Sequence, residues 1–242
     1  VNPTTGFVTA VSSGTVTLMV SAAGDDNYLP ASTSQTLTIG AGPQTLTITS
    51  ANVLSVGGSL TASVSTTATS SSGGTISYTI TTIGSCSATV NPITGFIIAV
   101  RSVTVTLRAS VTGDTNYLPA TTSQLITIGA GSQTLTITSA NTVVVAGSLT
   151  ASVSTTASIS SGGSISFSIL AGTGSATINP VTGFIRGIRV GTLTLTVCAT
   201  GDANYIATTI STPFVVTIGT QNVSINPPAT VVVGQSIAIS TT

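Results

Sequence analysis

The chain has 242 residues, of which 3% are charged and 41% hydrophobic; four Arg balance four Asp, and Lys, Glu, His and Trp are absent. Four scattered cations exclude a basic nucleic-acid surface, and the many Ser and Thr hydroxyls have no His, Lys or Glu to activate them. No apolar run approaches the roughly 18 residues of a membrane-spanning helix.

From the N-terminus, the first landmark is Asn2-Pro3-Thr4-Thr5-Gly6-Phe7. The pattern Asn-Pro-x-Thr-Gly-Phe returns at Asn91 and Asn179, 89 and then 88 residues on. The second is Gly24-Asp25-Asp26-Asn27-Tyr28, whose pattern Gly-Asp-x-Asn-Tyr returns at Gly113 and Gly201 with the same spacings. The third, Gln44-Thr45-Leu46-Thr47-Ile48-Thr49, returns at Gln133 and, degenerate, at Gln221. One period shared by three landmarks fits a β-sandwich domain and is too long for a solenoid repeat or a propeller blade.

The period divides the chain into the C-terminal half of a repeat (1–42), two complete repeats (43–131 and 132–219) and the N-terminal strands of a further one (220–242). Half a sandwich leaves its apolar face bare. The parent protein is therefore expected to extend in both directions; the alternative is that the two end pieces complete a domain between neighbouring subunits.

Within 43–131 the strand signals are short and regularly spaced. Thr45–Thr49 alternates, with Leu46 and Ile48 inward. Ser59–Ser65 reads as one strand with Leu60, Ala62 and Val64 inward, and the run Ser70–Gly74 as a loop. Thr75–Thr81 presents Ile76, Tyr78 and Ile80, and Ser87–Val90 presents Ala88 and Val90. Asn91-Pro92-Ile93-Thr94-Gly95 predicts a hairpin turn, because Pro pre-sets φ, Asn bonds its own backbone and Gly permits positive φ. Phe96 restarts a strand. Val103–Val111 is the longest alternation, with Val103, Val105, Leu107, Ala109 and Val111 inward, and Leu125–Ile128 closes the domain. The sum is about seven strands and no helical period.

The stretch Ala88–Val100, followed by Val103-Thr104-Val105-Thr106-Leu107, resembles the bacterial Ig-like (Big-type) repeats of cell-surface proteins. Gly113-Asp114-Thr115-Asn116-Tyr117 is similar to repeats of very large secreted adhesins and surface filaments. The resemblance covers essentially the whole chain. It implies an all-β fold of tandem immunoglobulin-like β-sandwich domains, displayed outside a bacterial cell and mostly mechanical in role. It carries over no catalytic residues.

The Gly-Asp-x-Asn-Tyr motif is the strongest candidate for chemistry. Asp25, Asp26 and Asn27, or Asp114 and Asn116, could offer oxygens to Ca²⁺, but one or two Asp per repeat fall short of the six to eight oxygens such an ion takes. The expectation is a structural loop, with Asp and Asn bonding backbone and Tyr28, Tyr117 and Tyr205 plugging the end of the core. The connectors Gly40-Ala41-Gly42-Pro43 and Gly129-Ala130-Gly131-Ser132 contain no acid. Cys86 and Cys198 sit at non-equivalent positions in different repeats and cannot form one sandwich's internal bridge. They read as two unpaired thiols, or Cys198 as an interchain bridge from the outer face. Asn222-Val223-Ser224 fits a glycosylation sequon.

No catalytic, cofactor or metal site is assigned, and the chain is not expected to be an enzyme. The expected function is the structural repeat region of an extracellular filament or adhesin stalk. The alternatives are a carbohydrate- or surface-binding module, disfavoured because aromatics are 4% of the chain and most are read as inward, or a spacer in a secreted enzyme. Strand edges are normally blunted with charge, which is scarce here. Self-association or neighbouring repeats of the same long protein are therefore the expected partners, with glycans as another cover, and neither nucleic acid nor membrane insertion is expected.

Overall fold

The computed structural model describes residues 1–69, 71–81, 87–158, 160, 162–224 and 230–236. Cys86, Ser70 and, within the expected terminal strands, residues 225–229 and 237–242 lie outside them. All regular elements described are strands. Two compact units are present: Val1–Ser132 together with the loop Asp202–Ile206, and Gln133–Gly201 together with Ala207–Thr242.

The first unit opens with β1 (Gly14–Ala22) and β2 (Ala31–Ile39), an antiparallel hairpin paired over its full length from Gly14↔Ile39 to Ala22↔Ala31. It continues with β3 (Leu46–Ile48), β4 (Val53–Ser55), β5 (Ser59–Thr61), β6 (Val64–Thr66), β7 (Ile76–Thr81), β8 (Ala88–Val90), β9 (Phe96–Ala99), β10 (Val103–Val111) and β11 (Ala120–Gly129). The second unit repeats the series as β12 (Leu135–Ile137), β13 (Thr142–Val144), β14 (Ser148–Thr150), β15 (Val153–Thr155), β16 (Ile165–Ala171), β17 (Ser175–Ile178), β18 (Phe184–Arg189), β19 (Gly191–Ala199) and β20 (Thr208–Thr217).

In 43–131 one sheet has the order β4-β11-β10-β7. The other layer consists of β5-β9-β8 and β3-β6, which are continuous because β5 and β6 are successive pieces of one run. The second unit has the same order: β13-β20-β19-β16 faces β14-β18-β17 and β12-β15. Leu135, Ala151 and Ile185 from one layer pack in a single core with Val143, Phe167, Leu195, Val197, Phe214 and Val216 from the other. The opening strand divides between the layers, its first half (β3, β12) antiparallel to β6 or β15 and its second (β4, β13) parallel to β11 or β20. Two facing sheets in this order are an immunoglobulin-like β-sandwich, present here in tandem.

The alternation that positions the core is local in origin. Val105, Leu107, Ala109 and Val111 are buried on one side of β10, while Thr104 and Arg108 are exposed on the other. β-Branched residues suit this pleated, half-buried surface. The turn before β9 forms as expected: Asn91 Oδ1 accepts from Ile93 N and Thr94 N at 3.0 Å each, and Gly95 adopts φ +69°.

Four local readings are corrected. Ser59–Ser65 is two strands, because its first part pairs with β9 and its second with β3; the crossover lies where Ala62 N bonds Gly95 O and Thr49 N bonds Ser63 O. The last strand begins at Ala120, not Leu125, because polar Ala120–Gln124 pairs residue for residue with β10, and Leu125 points outward at 63% exposure. The unanticipated β4 supplies the buried Leu54. Aromatics are less inward than expected: Phe96 and Phe184 are 42% and 48% exposed, since the strand after the turn glycine buries Ile97 and Ile185 and so faces its first residue out.

Candidate functional site

Between β10 and β11 the chain reverses through Gly113–Pro119, the Gly-Asp-x-Asn-Tyr loop. Gly113 has φ +75°, and a Cβ there would lie 2.6 Å from Tyr117 O, so only glycine fits the reversal. Asp114 N donates to Tyr117 O at 2.9 Å. Asp114 Oδ1 accepts from Asn116 N at 2.8 Å and Tyr117 N at 2.9 Å, and Oδ2 accepts from Ser71 Oγ at 2.6 Å. The Ser71 hydroxyl holds this carboxyl below its ordinary value, helped by the backbone N–H groups of Asn116, Tyr117 and Gly73 and opposed by desolvation.

The same Asx cap recurs in the other copies. Asp25 Oδ1 accepts from Asn27 N at 2.8 Å and Tyr28 N at 2.9 Å. Asp202 Oδ1 accepts from Asn204 N at 2.8 Å and Tyr205 N at 3.0 Å.

The loop is bound to the rest of its repeat by two further side chains. Tyr117 is half-buried, and its hydroxyl accepts from Thr69 N at 2.9 Å. Gln44 is buried at 7% exposure; its Nε2 donates to Gly73 O at 2.7 Å and Leu118 O at 2.8 Å, and its Oε1 accepts from Thr66 Oγ1 at 3.1 Å. Gln133 is buried at the equivalent place, donating to Gly162 O at 2.7 Å and accepting from Thr155 Oγ1 at 3.1 Å. Sequence reasoning missed both glutamines. Their signal was the polar first residue of a landmark otherwise built from alternating Thr and apolar positions.

Of the residues considered as calcium donors, Asp25, Asp114 and Asn116 accept hydrogen bonds from protein groups. Both Asp114 oxygens are bonded within the repeat, and Asp25 caps its own exposed loop. Among the described residues no three His, Cys, Asp or Glu side chains gather as a metal-binding group. Of the expected plugs, Tyr205 is buried and Tyr117 half-buried, but Tyr28 is 76% exposed. Among the described residues the hairpin β1–β2 has no facing layer that would make a sandwich end for Tyr28 to fill. For the same reason Val16, Val20 and Leu37 on that hairpin remain open to solvent.

Cys198 is a free, half-buried thiol on the outward side of β19, where Thr209 Oγ1 donates to its Sγ at 3.3 Å. All four Arg are exposed. Asn222, Val223 and Ser224 are exposed. No helix among the described residues is long and apolar enough to cross a membrane.

No protein-family model matches the chain, and no curated protein matches it. Solved structures similar to it include human protocadherin-24 EC1-2, at 14% identity and TM-score 0.32, covering 70% of this chain and 94% of that one. A SusE-like surface-located polysaccharide-binding protein from Bacteroides thetaiotaomicron is 15% identical with TM-score 0.29, covering 74% of this chain and 36% of that one. An S-layer protein is 13% identical with TM-score 0.30, covering 88% of this chain and 37% of that one. This chain thus spans little more than a third of the last two, and at such identities the likeness is one of fold alone.

Proposed function

We propose that this chain is a non-catalytic structural segment of an extracellular filament or adhesin stalk, a row of Ig-like repeats at a bacterial cell surface that sets distance and bears load. The observation that carries the reading is repetition at the level of the core: β3–β11 and β12–β20 rebuild the same pairings in the same order. Serial copies of one sandwich multiply length and mechanical resistance; they add no new chemistry. The acidic motif supports this, since the Asp at its second place in each copy, Asp25, Asp114 and Asp202, is engaged in shaping its own loop. With scarce charge on hydroxyl-coated faces, self-association into fibres and contact with neighbouring repeats are the partner modes that fit.

Force–extension of single tethered chains tests the reading. Two successive unfolding steps are expected, each lengthening the chain by about 300 Å, the extended span of ~88 residues at ~3.3–3.6 Å each, less the folded length. A chain that stretches without a step overturns the load-bearing role.

A further inference from the structure

We propose that the Gly-Asp-x-Asn-Tyr loop is a clasp that fastens the stretch 1–42 to the repeat following it, with Asn116 as the fastening residue. Within the first unit, Asn116 Oδ1 accepts a hydrogen bond from Ser13 N at 2.8 Å, between residues 103 positions apart. The backbone oxygen of the same Asn accepts from Gly42 N at 2.8 Å, and Leu118 N donates to Gly42 O at 2.9 Å. Gly42 and Tyr117 thereby pair as residues of parallel strands do. One loop thus grips both the turn that leads into β1 and the connector behind β2. That connector, Gly40–Pro43, has a composition that favours flexibility, and these bonds fix it.

The pattern recurs in the same unit around Asn204. Its Oδ1 accepts from Ser102 N at 3.1 Å, its backbone oxygen accepts from Gly131 N at 2.8 Å, and Ile206 N donates to Gly131 O at 2.9 Å. Ser13 and Ser102 occupy equivalent places, each seven residues after the turn glycine, Gly6 or Gly95. Both donors are backbone N–H groups, so the side chain at that place is not what is recognised. The acceptor is specified, and in both joints it is the Asn of the motif.

This divides the motif by task. Gly permits the reversal, Asp closes the loop on itself, Tyr117 binds its own repeat through Thr69, and Asn is left facing the neighbour. Asp at that fourth place would also accept a hydrogen bond; a side chain without an oxygen would not. The joint forms whether or not the row bears load, so it stands apart from the mechanical reading.

Amide hydrogen exchange of the full 242-residue chain, followed by NMR, tests the clasp. In the unsubstituted chain Ser13 N–H should be protected. Asn116→Ala should speed its exchange about tenfold or more, as expected for losing one hydrogen bond's protection, while Leu107 and Ile126 amides keep theirs. Asn116→Asp should keep Ser13 protected. Asn204→Ala should expose Ser102 and leave Ser13 unchanged, which decides the matter should Asn116→Ala disturb the core. Residual dipolar couplings of β1–β2 should fall relative to β10–β11 in Asn116→Ala. An unprotected Ser13 amide in the parent chain, exchange insensitive to Asn116→Ala, or couplings that keep the parent ratio would each overturn the proposal.

Discussion

Gln44→Leu removes the polar hub of one sandwich end while nearly conserving side-chain volume. Three hydrogen bonds disappear: those from Nε2 to Gly73 O and Leu118 O, and that from Thr66 Oγ1 to Oε1. A net contribution of about 1 kcal/mol per bond gives roughly 3 kcal/mol. The figure is bounded from above by partial exposure, because the bonds to Leu118 and from Thr66 are only part-buried and water can replace them there. It is bounded from below by Gly73 O, whose bond is buried and whose acceptor would be stranded at a cost of about 1–3 kcal/mol. The expected loss is therefore about 2–4 kcal/mol. Against a repeat of ~88 residues worth roughly 4–13 kcal/mol at ~0.05–0.15 per residue, that is a large fraction. Urea unfolding of the whole chain by circular dichroism should show a lowered midpoint for Gln44→Leu at unchanged m-value. A loss below about 0.5 kcal/mol, the range of ordinary surface substitutions, would refute the hub.

Two further outcomes are expected. Asp114 has its carboxyl lowered by Ser71 and backbone donors, so the unfolded chain takes up a proton at higher pH than the folded one. Its contribution is complete above the unfolded carboxylate value of about 4 and fades as pH falls through the lower folded value. The urea midpoint should decline in that acid window, and Asp114→Asn should flatten the decline; an unchanged pH profile in the variant would contradict the assignment. Ala146 sits at φ +64° where the equivalent Gly57 has +80°. A left-handed conformation costs an L-residue roughly 1–2 kcal/mol, and glycine's extra unfolded entropy offsets roughly 0.5–1 of it. Ala146→Gly should therefore raise stability by about 0.5–1 kcal/mol in the same urea assay, and a destabilised variant would refute the strain.

Periodicity along the chain determined much by itself. The recurring landmarks set the repeat length. The alternation Val103–Val111 named the buried face of β10, because a strand's side chains change sides every residue whatever lies across from them. Asn91–Gly95 announced its turn, since the cap and the positive φ are properties of those five residues alone. Only the tertiary structure decided which strand each segment would meet. Val53–Ser55 is too short to signal a strand and exists because β11 offers it a parallel edge. Ala120–Gln124 is polar and becomes strand because β10 pairs it. Gln44 and Gln133 are buried because distant carbonyls accept from their amide N–H groups and distant Thr hydroxyls donate to their amide oxygens. The bond from Ser13 to Asn116 joins two loops with no local pattern in common. Side-chain alternation is written residue by residue, whereas hydrogen-bond partners separated by tens of residues are fixed only when the layers close on one another.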